Sequence, residues 1–212
     1  MAKPETGNAA RCVIAVAAPI GGGKSALVQG LAVALNGAAT LHFDDYELAT
    51  RQSPAELGRW LEQGADFDSL QAPGFADAVR ALRDDATIGS PSQFVVLEMP
   101  LGRAHADTAQ LIDFLVWVDT PLDLALARNL RALTTEALAD KADPRQFLGW
   151  LDAYLDQYME QVRVILELQK KRVAPGADLV LDGTRSQPTL IAAAVSALIA
   201  RAGGRAPVGP VQ

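Results

Sequence analysis

The chain has 212 residues, 50% of them hydrophobic and 21% charged, which fits one compact domain and excludes global disorder and a fibrous design. Nineteen Lys and Arg against 25 Asp and Glu leave a net charge of -6, which argues against holding nucleic acid by phosphate neutralisation. One cysteine, Cys12, and two histidines, His42 and His105, supply neither an internal disulfide nor a zinc-ligand spacing, so the composition points to a reduced, cytoplasmic protein.

Residues 1–11 and 203–212 are rich in Gly, Pro, Ala and polar side chains without periodicity, and are expected to be disordered tails around a domain spanning 12–202. The β-branched apolar run at 12–17 reads as a buried parallel strand. It runs directly into Gly21-Gly22-Gly23-Lys24 without a basic leader, so it is not a signal peptide. A helix over 25–35 follows, with Leu27, Val28, Leu31 and Leu35 at helical spacing. A strand at 39–43 leads into Asp44-Asp45-Tyr46. Ser53-Pro54-Ala55-Glu56 then opens a helix with a capping serine, a first-turn proline and a glutamate three residues on.

The pattern continues with a helix over 75–83 and strands at 94–98 and 114–118, the latter ended by Asp119-Thr120-Pro121. A helix over 122–133 comes next, then one long helix over 146–171, in which Trp150, Tyr154, Tyr158, Val162 and Leu166 form a stripe at four-residue spacing. A strand at 179–181 and a helix over 188–200 complete the chain. The apolar stretch 190–200 is too short to span a bilayer, so no membrane association is expected. Alternation of this kind predicts an α/β fold of three α/β/α layers, with a mostly parallel five-stranded sheet and helices on both faces. Trp60, Trp117 and Trp150 are assigned to packing, Cys12 to the core, and Lys170-Lys171-Arg172 to a helix C-terminus favoured by the dipole.

Ala18-Pro19-Ile20-Gly21-Gly22-Gly23-Lys24-Ser25 lies between the first strand and the first helix, the context a phosphate-binding loop requires. Its glycines let several N–H groups face one anion, and the helix N-terminus adds partial positive charge. Gly21, Gly22, Gly23, Lys24, Ser25 and Ala26 are therefore the candidate nucleotide-binding residues, with Lys24 on the terminal phosphates and the Ser25 hydroxyl on Mg²⁺. Ala18 stands where the pattern has its first glycine, which requires a negative φ there.

In a parallel sheet the ligand crevice lies at the carboxyl ends of the strands. Asp44, Asp45, Glu98 and Asp182 all follow or end strands and are expected to converge at one edge. Phosphoryl transfer to an alcohol needs a carboxylate to take its proton, and Asp44 suits that role; the alternative is that Asp44 and Asp45 cap a turn. Glu98, after Phe94-Val95-Val96-Leu97, occupies the place of a Walker B acid that holds Mg²⁺ through water. Arg128 and Arg131, three apart on one helix, either clamp the transferring phosphoryl group or are solvated arginines.

Together these motifs resemble the uridine kinase, phosphoribulokinase and nicotinamide riboside kinase group of P-loop small-molecule kinases, over about residues 13–200. The resemblance rests on the phosphate loop, Phe43-Asp44-Asp45-Tyr46, Asp66-Phe67-Asp68-Ser69-Leu70-Gln71-Ala72-Pro73, Phe94-Val95-Val96-Leu97-Glu98 and Phe114-Leu115-Val116-Trp117-Val118-Asp119-Thr120 in that order. It implies the P-loop NTPase fold with a small helical lid, ATP and Mg²⁺ as cofactors, and γ-phosphate transfer to a hydroxyl of a nucleoside, vitamin or sugar-like alcohol. By the same resemblance Asp44 is the base, Arg128 and Arg131 lie near the lid, and Asp45, Tyr46, Asp68 and His105 are acceptor-side candidates. Asp182-Gly183-Thr184-Arg185 resembles the loop beside the adenine, which makes Gly183 and Arg185 nucleotide contacts. Ala132-Leu133-Thr134-Thr135 and Met99-Pro100-Leu101-Gly102 depart from the family pattern.

No Asn-Lys-x-Asp guanine signature is present, which disfavours a GTPase. Two readings remain open: a kinase acting on a small acceptor as a monomer or homodimer, or an ATP-binding switch that phosphorylates no metabolite. Only the first needs Asp44 as a base.

Overall fold

A computed structural model describes residues 10–48, 53–84 and 92–202. The five strands are β1 (Cys12–Ala17), β2 (Ala39–His42), β3 (Phe94–Glu98), β4 (Phe114–Asp119) and β5 (Leu179–Asp182). They form one sheet in the order β2-β3-β1-β4-β5, and every pairing is parallel. The α/β/α fold read from the alternation of elements is the one observed. Among the described residues, no helix is long and apolar enough to cross a membrane.

Side chains alternate across the sheet, and each face packs its own core. Val13, Ala15, Val95, Leu97, Leu115 and Trp117 face one side, where Phe75 and Val79 of α3 (Phe75–Asp84) and Val173 of α7 (Arg163–Val173) cover them. Ile14, Val16, Val96, Val116, Val118 and Leu181 face the other. That side is covered by Leu27, Val28 and Leu31 of α1 (Lys24–Ala34) and by Leu190, Ala194 and Leu198 of α8 (Gln187–Ala202). The alternation has a functional consequence: positions 94 and 96 lean toward α1, and Glu98, two residues further, lies on that same side.

Most element boundaries fall within a few residues of the sequence reading; β1 and β3 match it end to end, and α5 (Leu122–Ala139) runs six residues longer. The helix α2 (Pro54–Glu62) starts with the expected capping box: Glu56 N–H donates to Ser53 Oγ at 3.3 Å, and Ser53 N–H donates to Glu56 Oε2 at 2.7 Å. The short α4 (Ala106–Ala109) had no signal in the sequence. Arg11, read as part of the tail, is instead buried: its N–H donates to Arg83 O at 2.8 Å and its Nη1 to Leu82 O at 2.8 Å. The remaining tail residues, 1–9 and 203–212, lie outside the described residues.

The expected single helix over 146–171 is divided. α6 (Pro144–Gln157) passes through a π-helical turn, Tyr158–Val162, into α7, and Arg163 N–H donates to Tyr158 O across five residues. A stripe at strict four-residue spacing drifts by about 40° per step around a regular α-helix, because 3.6 residues make a turn. A wider turn takes up that drift, so Tyr158 and Leu166 can both be buried. Trp150 is at the far end of the stripe and is not a core residue. It is 44% exposed and stacks between Phe147 and Tyr154. Trp117 is fully packed, and Trp60 stacks on Phe67 while its Nε1 donates to Asp66 O and Ser69 Oγ.

Cys12 begins β1 at the edge of the α1–α8 core. Burial, reinforced by the Asp113 carboxylate, pushes its thiol up to about 11. Since the thiolate is the reactive species, Cys12 should resist iodoacetamide near neutral pH in the folded protein and react after unfolding. Rapid alkylation of the native chain, read by mass spectrometry, would contradict that placement.

Candidate active site

β1 ends in the loop that leads to α1. Gly22 N–H donates to Pro19 O at 2.8 Å and Leu27 N–H to Gly23 O at 3.1 Å, which closes the loop onto the helix. The left-handed positions are Gly21, at φ 72°, and Gly23, at φ 97°; Ala18 is not among the positive-φ residues, as an alanine there requires. Glycine at position 21 is demanded twice, since a Cβ there would also collide with the Ala125 carbonyl of α5. The N-cap of α1 is Gly23, and no side chain caps it. The first amides of the helix are thus left to an external acceptor, and an anion is the acceptor the dipole favours.

Lys24 is the first residue of α1 and is buried; among the described residues its Nζ donates a single long bond, 3.4 Å, to Pro19 O. Desolvation lowers its pKa, opposed by the nearby charges of Glu98 and Asp44. Asp44 lies in the 3₁₀ turn Phe43–Asp45 that follows β2. Its side chain is open to solvent, yet desolvation raises its pKa; Lys24 opposes the shift, while Glu98, Glu47 and Asp45 add to it. The loop lysine, the end of β3 and the turn after β2 therefore share one electrostatic neighbourhood.

Glu98 is 6% exposed. Ser25 Oγ donates to its Oε1 at 3.1 Å, and His42 Nδ1 meets its Oε2 at 2.8 Å. Sheet alternation explains the first contact, since it turns Glu98 toward the first turn of α1. Strand register explains the second, since His42 of β2 pairs with Glu98 of β3. His42 was given no role from the sequence. Its position at the end of a strand was visible, but the adjacency of β2 and β3 was not. Asp182, by contrast, does not join the acids. Its carboxylate accepts from Thr184 N–H and Oγ1 and pairs with Arg185 at 3.1 Å, and local hydrogen bonds hold its pKa down.

The acceptor-side candidates divide. A cavity of about 450 Å³ is lined by Asp68, Gln71, Phe75, Arg80, His105 and Asp107 among others. Asp68 is at its rim, with Oδ1 accepting from Ala106 N–H at 2.6 Å. His105 reaches the cavity but is 3% exposed, and both ring nitrogens are engaged, Nε2 with Leu70 O at 3.1 Å and Nδ1 with Thr108 Oγ1 at 3.3 Å. That commitment makes it a wall residue more than a free hydrogen-bonding group. Tyr46 packs edge-on against Phe75, as does Phe43, so this aromatic layer joins the Asp44 turn to the cavity wall. Asp45 is exposed beside Asp44.

Arg128 Nη1 donates to Gly183 O at 2.9 Å. Arg131 is exposed further along α5. Gly183 is buried against Thr120, where a Cβ would overlap the threonine hydroxyl, and Thr120 Oγ1 in turn donates to Gly22 O at 3.0 Å. The loop after β5 is thereby tied to the phosphate loop, while Arg185 pairs outward with Asp182. Ala26 is exposed in the first turn of α1. Gln169 of α7 was also unforeseen: buried, it donates to Ala18 O at 3.2 Å and Pro100 O at 2.8 Å, bracing the loop from the opposite face.

α5 and α6 run antiparallel as a helical hairpin, held by Asn129 Nδ2 donating to Tyr154 Oη at 2.8 Å. Ser25 and Glu98 offer hard oxygen donors suited to Mg²⁺. Among the described residues, no group of three His, Cys, Asp or Glu converges as a metal site. This donor set fits a magnesium ion that shares its coordination with nucleotide phosphates and water, as Mg²⁺ prefers.

No protein-family profile and no curated protein sequence matches the chain. Solved structures do. A protein from Silicibacter sp. assigned as a fructose transport system kinase aligns with a TM-score of 0.54 at 18% identity, over 84% of this chain and 92% of its own. A gluconokinase from Sinorhizobium meliloti aligns with a TM-score of 0.52 at 16% identity, over 93% of this chain and 97% of its own. At these identities the likeness establishes the fold alone, the parallel α/β/α architecture that this chain shares with both kinases.

Proposed function

We propose that this protein is a Mg-ATP-dependent kinase that transfers the γ-phosphate to a hydroxyl of a small metabolite. The observation that carries the reading is the meeting of Lys24, Ser25, Glu98 and Asp44 at the carboxyl end of one parallel sheet, under helix amides that no side chain caps. Bound Mg²⁺ would supply charge neutralisation between the phosphates. The loop amides and Lys24 bind and orient the phosphates, Ser25 and Glu98 hold the cation, and Asp44 accepts the proton of the acceptor hydroxyl. The raised pKa of Asp44 makes it a stronger base than an ordinary carboxylate.

The cavity lined by Asp68 has the volume of a small-metabolite site, and its carboxylates suit hydroxyl groups. The names of the two aligned structures, a gluconokinase and a fructose transport system kinase, favour a polyol or sugar-like acceptor. The hairpin α5–α6 is the candidate lid, because α5 meets the phosphate loop where Ala125 O abuts Gly21; on closure Arg128 would exchange Gly183 O for a phosphate oxygen.

A panel of sugars, sugar acids, nucleosides and vitamins, each with Mg-ATP, tests this by ADP release and thermal shift. A ligand at about 100 times its Kd stabilises the fold by about 2.7 kcal/mol, well within detection. One acceptor class should stimulate ADP release. Absence of any stabilisation by adenine nucleotides would overturn the proposal, whereas stabilisation by ATP without turnover on any acceptor would favour a nucleotide-binding switch.

A further inference from the structure

Glu98 is a carboxylate at the end of a central strand, almost wholly removed from water. Such a group is costly unless its oxygens are paired, and among the described residues each oxygen has a side-chain partner: Oε1 takes the Ser25 hydroxyl and Oε2 takes His42 Nδ1. An ionised carboxylate only accepts, so the 2.8 Å contact places a hydrogen on Nδ1. The geometry behind it is long-range. His42 and Glu98 are register partners on adjacent parallel strands, and Leu41 and Leu97, the residues before each, both face the α3 side. His42 and Glu98 therefore lie side by side on the α1 face, and Ser25 stands above them.

We propose that His42 is the positioning residue of the cation site: its Nδ1–H fixes the Glu98 carboxylate so that the other oxygen is presented to Ser25 and to the metal. The inference rests on the kinase reading above and deepens it. Without the imidazole, Glu98 Oε2 loses the side-chain partner it has among the described residues, and the carboxylate is free to turn away from Ser25. That rotation would break the Ser25 contact and withdraw the oxygen presented to the metal. Partners that orient metal-binding carboxylates this way commonly contribute about 10-fold or more to metal affinity.

The test measures ATP affinity by calorimetry with and without Mg²⁺ in the wild-type protein and in three variants, H42A, H42N and H42Q. The asparagine amide falls where Nδ1 lies, whereas the glutamine amide falls nearer the Nε2 position. The expected result is that H42A and H42Q lose about 10-fold or more of the tightening that Mg²⁺ confers. H42N should keep it, and affinity for Mg-free ATP should stay the same throughout. H42Q retains a folded, polar replacement if the alanine variant proves unstable. Equal Mg²⁺ dependence in wild type and H42Q, or equal losses in H42N and H42Q, would overturn the role of Nδ1 while leaving the kinase reading intact. A wild-type protein with no affinity for ATP would overturn both.

Discussion

Lys24→Met is expected to remove ATP turnover, by at least about 10²-fold, while leaving the unliganded protein as stable as the wild type or more so. The substitution deletes the ammonium and keeps most of the stem that packs in the loop. In the unliganded protein that ammonium is buried with one long bond to a carbonyl, and desolvation lowers its pKa. A lysine whose folded pKa lies below its unfolded value destabilises the fold fully at pH below the folded pKa, and the penalty eases as pH rises through it. The stability advantage of the methionine variant should therefore be largest at neutral and acidic pH and shrink as pH climbs. Denaturant titrations at several pH values and an ADP-release assay read both effects. Retained turnover would refute the phosphate role, and a large loss of stability would refute the account of Lys24 as a destabilising functional group.

Asp44→Asn separates catalysis from binding. The general-base contribution of a positioned carboxylate is about 10²–10⁴-fold, and kcat/KM for the acceptor should fall by that factor. Affinity for Mg-ATP should be unchanged or tighter, because a negative charge beside the phosphate site has been removed. The wild-type enzyme should lose activity as pH falls through a pKa above the ordinary carboxylate range, since desolvation raises Asp44 and only its ionised form accepts a proton. That acidic limb should be missing from the residual activity of the variant. A fully active Asp44→Asn protein would show that Asp44 merely caps the turn after β2.

Much of this site was legible because its signals are local. A phosphate loop needs glycines where φ is positive, and Gly21 and Gly23 occupy those angles while Ala18 does not. The capping box at Ser53 is a contact between residues three apart, so its chemistry is contained in four letters of sequence. Glu98 at the end of an apolar run could be placed at the crevice from the general geometry of parallel sheets.

Other residues carry roles that adjacency confers. Arg128 shares a helix face with Arg131, as their spacing requires, but its hydrogen bond goes to Gly183, 55 residues away. His105 looked available, yet the packing of Leu70 and Thr108 around it consumes both nitrogens. Gln169 gave no signal at all, because a lone glutamine on a helix looks the same whether it meets water or the carbonyls of Ala18 and Pro100.

Capping, glycine torsions and period-two or helical patterning act within a few residues, so the sequence by itself determined most elements, the glycine-rich loop and the carboxylates at the strand ends, though neither α4 nor the π-helical turn at Tyr158–Val162. The order β2-β3-β1-β4-β5 and the register within it follow from which faces bury together across the whole molecule. Only that tertiary choice set His42 beside Glu98, turned Glu98 to Ser25 and brought Asp44 into the field of Lys24, since each contact joins segments separated by tens of residues.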